Sequence, residues 1–243
     1  MKIYLYIGAL LFTFLQLQAQ SSVLGIKSGL SLGFQQWNSI DQDALFGFNI
    51  SGYIETLDNE NDKSSLLAQV GFHQRGSAKR NVQLIDNNGN FSGNVFTRNY
   101  LFNNVALELG FKSRLGTKAS GARIYYMLAL RGEYTLSTNL SDYEVPGLLS
   151  FDPIDAFVRK LNYGFTFGGG LEKQFSKYFG LMLEVSVQPD LSYQYREEYG
   201  SNPPTVINPY TGNPITLRDR KIRNLSFEIT LGLRFLREVV YVD

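Results

Sequence analysis

The chain has 243 residues, contains no cysteine and carries a formal net charge of +1 at pH 7. Without cysteine it can have neither a disulfide framework nor a lipid anchor on a cysteine, and its near-neutral charge argues against a nucleic-acid-binding protein. Beyond the first twenty residues, no apolar run is long enough for a membrane-spanning helix. These properties leave open a membrane β-barrel, because only alternate residues of a barrel strand face lipid.

Residues 1–19 are predicted to form a secretory signal peptide. Lys2 supplies a positive start, an apolar run follows from Ile3 to Leu17, and Ala19 is a small residue at the expected cleavage point. A transmembrane helix is the alternative, but the run is short and no charged stop follows it. The sequence therefore predicts a signal peptide at 1–19 and one barrel domain at 20–243.

Between residues 23 and 236, apolar side chains recur at every second position in eight segments. In the last segment, Leu225, Phe227 and Ile229 alternate with Ser226 and Glu228. A period of two is typical of a strand with two unlike faces. The predicted strands are 23–35, 44–56, 64–76, 98–112, 122–136, 159–173, 178–190 and 224–235.

Alternation alone does not say which face points inward, since a soluble lipocalin-like barrel has the same period with the faces reversed. Glycines lie mostly on the polar faces, as expected inside a narrow barrel, and aromatic residues collect near both ends of the apolar faces. One belt consists of Phe34, Phe46, Phe72, Tyr134 and Tyr163, and the belt at the other end consists of Phe111, Tyr126, Phe179 and Phe235. Interfacial anchoring requires such belts. The predicted fold is an all-β, eight-stranded antiparallel up-and-down transmembrane β-barrel.

The connections differ in length between the two ends of this predicted barrel. Short connections lie at 57–63, 113–121 and 174–177, and the others, three of them long, lie at 36–43, 77–97, 137–158 and 191–222. Bacterial outer-membrane barrels have short periplasmic turns and long external loops. We therefore expect a Gram-negative outer-membrane protein with both termini in the periplasm.

Two long loops have informative compositions. The Asn-rich segment Asp86–Asn90 is typical of a hairpin turn, which would extend strands three and four as an outer flap. The segment Tyr193–Leu217 carries four prolines, which disfavours regular structure and leaves polar and aromatic surface for a partner.

Four segments carry a family resemblance. Gly25–Ser31 is similar to an opening GxKxGxN strand, Leu67–Ser77 to an ELxYxQKG strand, Asn99–Leu101 to the start of a YLxxP strand, and Leu225–Phe235 to a closing LxLGxxF strand. With these segments the chain resembles the PorT-like family of small outer-membrane β-barrels of Bacteroidetes. The resemblance implies a barrel fold and an accessory role in cell-envelope integrity or protein secretion.

Charged residues occur on the inward faces in about equal numbers of each sign. The interior of an eight-stranded barrel is just wide enough for side chains, and a buried unpaired charge is costly, so these residues should pair across the lumen. A central polar network is predicted at Lys27, Glu108, Arg131, Glu133, Glu184 and Glu228. It can be a structural polar core or a path for protons or ions.

Two basic groups are expected on the outer side of the membrane. They are Lys79, Arg80 and Arg98, and Arg218, Arg220, Lys221 and Arg223. Lipopolysaccharide phosphates lie at that level and accept charge-assisted hydrogen bonds. The groups are therefore candidate contacts to lipopolysaccharide, with ordinary solvated loop charges as the alternative.

Catalytic and metal chemistry have little support in the sequence. His73 is the single histidine, and no spacing indicates a catalytic triad. A metal-ligand cluster is not expected without cysteine, and Asp58–Asp62 lacks the glycine and distal glutamate of a calcium loop. The leading hypothesis is a non-enzymatic outer-membrane barrel without a cofactor that has a structural or interaction role through its outer loops. Its expected contacts are outer-membrane lipid, lipopolysaccharide and, through the loops, another envelope protein. The alternatives are a narrow solute or ion channel and a lipid-modifying enzyme.

Overall fold

Eight long strands alternate in direction along the chain. The computed structural model describes residues 21–37, 42–57, 63–85, 91–115, 122–143, 152–176, 178–208 and 211–237. The long strands are β1 Ser21–Gln36, β2 Asp43–Leu57, β3 Ser64–Ile85, β4 Phe91–Leu115, β5 Ala122–Thr138, β6 Leu161–Gln174, β7 Phe179–Pro189 and β11 Arg220–Arg237. The short strands are β8 Tyr195–Glu197, β9 Thr205–Ile207 and β10 Pro214–Thr216. The predicted signal peptide, the acidic turn Asp58–Asp62 and the tail after Arg237 lie outside the described residues.

The long strands close into a barrel. Each pairs antiparallel with the next in the chain from β1 to β7, β7 pairs with β11, and β11 returns to β1. The closing register runs from Ser22 opposite Arg237 to Gln36 opposite Arg223. This closure confirms the predicted eight-stranded antiparallel up-and-down barrel, with β8 as a short addition at one edge of β11.

The two faces of the barrel wall are chemically opposite. On β11, Ile229 is 58% exposed while its neighbour Glu228 is 3% exposed, and the same alternation holds along the other long strands. The apolar positions from Leu225 to Phe235 cover a height of about 23 Å at about 3.3 Å per residue and a tilt of about 45°. That height matches the apolar band of a transmembrane barrel. The predicted assignment of the apolar faces to the exterior is confirmed.

Glycine allows close approach of neighbouring strands at specific points of the wall. A Cβ on Gly29 would lie 1.9 Å from the carbonyl oxygen of Ile229, and one on Gly170 would lie 2.0 Å from that of Leu183. The contacts are with the backbone of the adjacent strand. Strand-to-strand approach, as well as side-chain crowding in the lumen, therefore places glycine on the inward faces.

Strands β3 and β4 are longer than predicted and rise past the rest of the barrel. The pairing of β3 with β2 ends at Asp43 opposite Ala78, whereas β3 and β4 continue together through Lys79 opposite Arg98. Two register irregularities and a positive φ of 54° at Asn81 mark this extension. An extended hairpin is thus present where the outer flap was predicted, and its turn lies outside the described residues.

The prediction that the proline-rich last loop lacks regular structure is wrong in part. Strand β8 pairs with β11, and β9 pairs with β10 in a separate hairpin. Pro204 precedes β9 and Pro214 begins β10, and a strand tolerates proline at its start or on an edge. Two short 3-10 helices, Leu140–Tyr143 and Asp155–Phe157, occur in the preceding loop. No helix in the described part of the chain is long and apolar enough to cross a membrane.

Candidate functional site

The lumen is filled by side chains in layers. A turn-end cluster of buried apolar residues contains Val23, Tyr53, Leu67, Tyr125, Met127 and Met182. A loop-end cap contains Tyr100, Phe102, Leu140, Tyr195 and Ile222. Charged and polar side chains occupy the lumen around the turn-end cluster and between it and the cap, and they form the candidate site.

A lower charged group surrounds the turn-end cluster. It consists of Glu55, Lys112, Arg114, Glu172 and Arg234, all buried. Lys112 Nζ lies 2.8 Å from Glu172 Oε2, and Arg234 Nη1 lies 3.2 Å from the same atom. Arg114 donates to both Glu55 and Glu172. Each carboxylate in the lower charged group therefore contacts several cations.

Lys27 and Glu184 form the first pair above this group. Lys27 Nζ lies 2.5 Å from Glu184 Oε1, and Tyr125 Oη donates to Glu184 Oε2 at 2.8 Å. The ammonium of Lys112 lies 3.9 Å from the centre of the Tyr125 ring. The pair is therefore connected to the lower charged group through one tyrosine.

An upper charged group lies closer to the cap and contains Arg75, Arg131, Glu133, Asp190 and the His73–Glu228 pair. Glu133 Oε1 lies 2.7 Å from Arg75 Nη2 and 2.8 Å from Arg131 Nε. Arg131 Nη2 donates to Asp190 Oδ1 at 2.5 Å. Both arginines are buried and hold two carboxylates between them.

Glu228 is held by neutral and basic partners. His73 Nδ1 lies 2.8 Å from Glu228 Oε1, and Gln188 Nε2 donates to Glu228 Oε2 at 2.8 Å. His73 is only 2% exposed. Among the described residues, His73 forms no hydrogen bond with Ser51 or Glu133.

The six residues of the predicted network thus belong to separate sets. Lys27 pairs with Glu184, Arg131 pairs with Glu133, and Glu228 pairs with His73. Glu108 is 1% exposed, and no group in the described part of the chain donates a hydrogen bond to either of its oxygens. Its cross-strand neighbours are Gln69 and Arg131.

Two charged residues of the lumen, Arg114 and Asp190, were missed in the sequence. Arg114 lies beyond the predicted strand end at 112, because β4 continues to Leu115. Asp190 lies at the predicted strand end and directly follows β7. Their positions continue the inward series of Lys112 and of Gln188. Extending the period of two past the last apolar residue would have identified both.

The loop-end cap closes the lumen with aromatic packing and hydrogen bonds. The Trp37 and Tyr100 rings have centroids 5.0 Å apart. Beneath them, Gln194 Nε2 donates to Asn104 Oδ1 and to Thr135 Oγ1, both at 3.1 Å. The loop residue Gln194 therefore bridges β4 and β5 by hydrogen bonds inside the lumen.

Two of the seven predicted lipopolysaccharide contacts, Arg98 and Arg220, face the protein instead. Arg98 pairs with Asp152 and lies 5.2 Å from the centre of the Tyr143 ring. Arg220 is 2% exposed and lies 3.8 Å from Glu197. Because their guanidinium groups are used inside the cap, the prediction that they reach lipid is corrected here.

The other five predicted basic contacts lie nearer the exterior. Lys79, Arg80 and Arg218 are partly or fully exposed. Lys221 Nζ lies 3.2 Å from a Glu198 oxygen, and Arg223 lies 4.2 Å from the centre of the Tyr193 ring. Hydrogen bonds from Arg196 and Lys221 hold the pKa of the exposed Glu198 carboxyl below its usual value.

A polar row marks the edge of the apolar band at this end. Gln74 Nε2 donates to Asn103 Oδ1 at 3.2 Å, and Asn103 Nδ2 donates to Ser137 Oγ at 3.0 Å. These residues follow the outward apolar positions of β3, β4 and β5. On β11, Arg223 and Lys221 occupy the equivalent outward positions beyond Leu225. The basic residues Arg223 and Lys221 therefore lie just beyond the apolar band at this end of the barrel.

No group of three or more His, Asp or Glu side chains that could hold a metal ion occurs among the described residues. The fold and the filled, charged lumen define a small transmembrane β-barrel with a packed interior.

No family model and no curated protein matches the chain. Among solved structures it is similar to Neisserial surface protein A, at 11% identity over 88% of this chain and 96% of that one, with a TM-score of 0.44. It is also similar to OprG from Pseudomonas aeruginosa, at 8% identity over 89% and 97% with a TM-score of 0.44. The outer membrane protease OmpT from Escherichia coli matches at 9% identity over 90% and 97% with a TM-score of 0.42.

Proposed function

We propose that the protein is a non-enzymatic outer-membrane barrel of a Gram-negative cell that acts through the structures at its loop end, as a PorT-like accessory of the envelope. The observation that carries the proposal is the closed lumen. Buried charged groups fill it between the turn-end cluster and the loop-end cap. A barrel that is solid inside offers its function at the ends, where loops are free to bind.

The proposal places both termini in the periplasm and the long loops outside the cell. Because the chain contains no cysteine, single cysteines report sidedness directly. In intact cells, a membrane-impermeant maleimide should label Asn213→Cys in the β9–β10 hairpin and should label Lys63→Cys at the turn end only after the outer membrane is opened. The reverse pattern would refute the orientation.

Another envelope protein is the proposed partner of the loop end. Ile207 and Ile215 are exposed on the β9–β10 hairpin, and exposed apolar groups on a polar loop favour protein contacts. Crosslinking in native membranes should recover a partner with the natural protein and lose it with the double variant Ile207→Ser and Ile215→Ser. The double variant Thr205→Ser and Thr216→Ser, in the same hairpin, is the matched control and should retain the partner. Recovery of no partner with the natural protein would count against an interaction role.

Lipopolysaccharide is the proposed lipid contact of the outward basic residues. Support comes from Lys221 and Arg223, which lie just beyond the apolar band of β11, because lipopolysaccharide phosphates at that level would accept charge-assisted hydrogen bonds. Replacing both with alanine should weaken binding of lipopolysaccharide micelles roughly tenfold, the effect of about 1.4 kcal/mol. Arg237→Ala, an exposed arginine at the opposite end of β11, should leave binding unchanged. Equal binding by all three proteins would refute the contact.

A narrow channel and a lipid-modifying enzyme have less support. The turn-end cluster and the loop-end cap lie across the lumen, and His73 is buried beside Glu228 where a lipid substrate does not reach. Planar bilayers containing the protein should show no discrete conductance steps, and His73→Ala should leave the lipid A profile unchanged. Discrete steps would favour the channel, and a changed profile would favour the enzyme.

A further inference from the structure

The upper part of the lumen holds more acidic than basic side chains. Above the lower charged group, the inward carboxylates are Glu108, Glu133, Glu184, Asp190 and Glu228, and the inward lysines and arginines are Lys27, Arg75 and Arg131. His73 is the one further basic group among the described residues there. With His73 counted as basic, this part of the lumen holds five carboxylates and four basic groups, whereas the lower charged group holds three cations and two carboxylates.

Glu108 is the carboxylate without a hydrogen-bonded cation, since Lys27 and Arg75 interact with it only over a longer distance. Lys27 is committed to Glu184 at 2.5 Å, and Arg75 and Arg131 contact Glu133 at 2.7 and 2.8 Å. Arg131 also holds Asp190, and His73 holds Glu228. Neither oxygen of Glu108 accepts a hydrogen bond from the described residues. A buried carboxylate without a partner is strongly unfavourable, so its charge must be neutralised.

The surroundings of Glu108 supply further oxygen atoms that lack partners. Gln69 lies directly opposite Glu108 on β3, and its Oε1 accepts no hydrogen bond from the described residues. On β2, Tyr53 lies opposite Gln69, and Ser51 is the next inward residue of that strand. The Ser51 Oγ also has no hydrogen-bond partner among the described residues. Three adjacent strands therefore present unpartnered carboxylate, amide and hydroxyl oxygens to the same side of the lumen.

This set of atoms selects the kind of ion. Oxygen-only sites suit hard cations and do not suit soft metals. A single carboxylate carries one charge, which a monovalent ion balances, whereas calcium sites use several carboxylates. We propose that Glu108, with Gln69 and Ser51, binds a monovalent alkali-metal ion, sodium or potassium, inside the lumen.

The test compares the thermal midpoint of the purified full chain in detergent in sodium, potassium and N-methyl-D-glucamine chloride at equal ionic strength. We expect the midpoint to be about 2–4 °C higher in sodium or potassium at several times the dissociation constant. Glu108→Gln should abolish the difference because it removes the unmatched charge. Glu198→Gln, at an exposed loop carboxylate, should retain it.

Three results would overturn the proposal. They are equal midpoints in the three salts, a salt difference that survives in Glu108→Gln, and a midpoint that depends on pH but not on the cation, which would mean that a proton neutralises Glu108. If Glu108→Gln does not fold, thallium(I) in crystals of the natural protein decides. An anomalous peak beside Glu108 supports the site, and its absence refutes it.

Discussion

The lower charged group and the upper lumen both contain buried carboxylates and cations, but in different proportions. In the lower group, three cations surround Glu55 and Glu172, and each carboxylate contacts more than one of them. In the upper lumen the carboxylates are in excess, and Glu108 contacts none of the cations within hydrogen-bond range. The cations therefore outnumber the carboxylates in the lower group, whereas the upper lumen holds the carboxylate that the proposed ion would neutralise.

The largest expected effect comes from removing a cation in the acidic upper lumen. Arg131→Ala should lower the free energy of unfolding by about 3–5 kcal/mol, because it leaves Glu133 and Asp190 short of their shared cation. Arg234→Ala, in the cation-rich lower group, should cost about 1.5 kcal/mol, since Lys112 and Arg114 still hold Glu172. Urea unfolding in detergent measures both. Equal costs would break the comparison.

For removal of a carboxylate, we expect the larger loss of stability in the lower charged group and not in the upper lumen. Glu55→Gln should destabilise the protein by about 2–3 kcal/mol, because Arg114 and Lys112 lose an ionic partner. Glu108→Gln should stabilise it by about 1–3 kcal/mol in buffer without alkali-metal ions, because an unpaired buried charge is removed. The two variants change charge and shape identically, so each controls for the other. A destabilised Glu108→Gln would contradict the idea of an unmatched charge.

The smallest expected effects come from two buried serines, Ser51 and Ser65, which should differ in how their replacement changes the response to salt. Ser51→Ala should reduce the rise in midpoint caused by sodium or potassium to about half of the natural 2–4 °C. Ser65 donates to Glu55 at 2.5 Å, so Ser65→Ala should cost about 1 kcal/mol of stability and leave the response to salt intact. Thermal unfolding in the two salts and in N-methyl-D-glucamine measures both properties. An undiminished response in Ser51→Ala would remove the serine from the site.

The pattern of side chains predicted most of the fold correctly. Strand number, strand order and the outward direction of residues such as Ile229 follow from a period of two, because lipid and lumen demand opposite chemistry on the two faces. The ends of the strands were less accurate: β3 and β4 extend beyond 76 and 98 because hairpin pairing between them continues without the rest of the sheet. The alternation of polarity fades there, so the pattern carries no signal.

The candidate site was only partly accessible from the sequence. Lys27, Arg131 and Glu108 could be assigned to the lumen because their positions have the inward parity. Their partners could not be assigned, since Lys27 and Glu184 are 157 residues apart in the chain. The burial of Arg220 against Glu197 likewise depends on how β8 folds back onto β11.

By itself the sequence determined that this chain forms a barrel wall with an apolar exterior and a charged interior, because each residue's polarity reports the medium that its face must meet. Only the tertiary structure decided which charges meet and which one is left over. That outcome depends on the stagger of the closed sheet, which brings side chains from distant strands to the same depth.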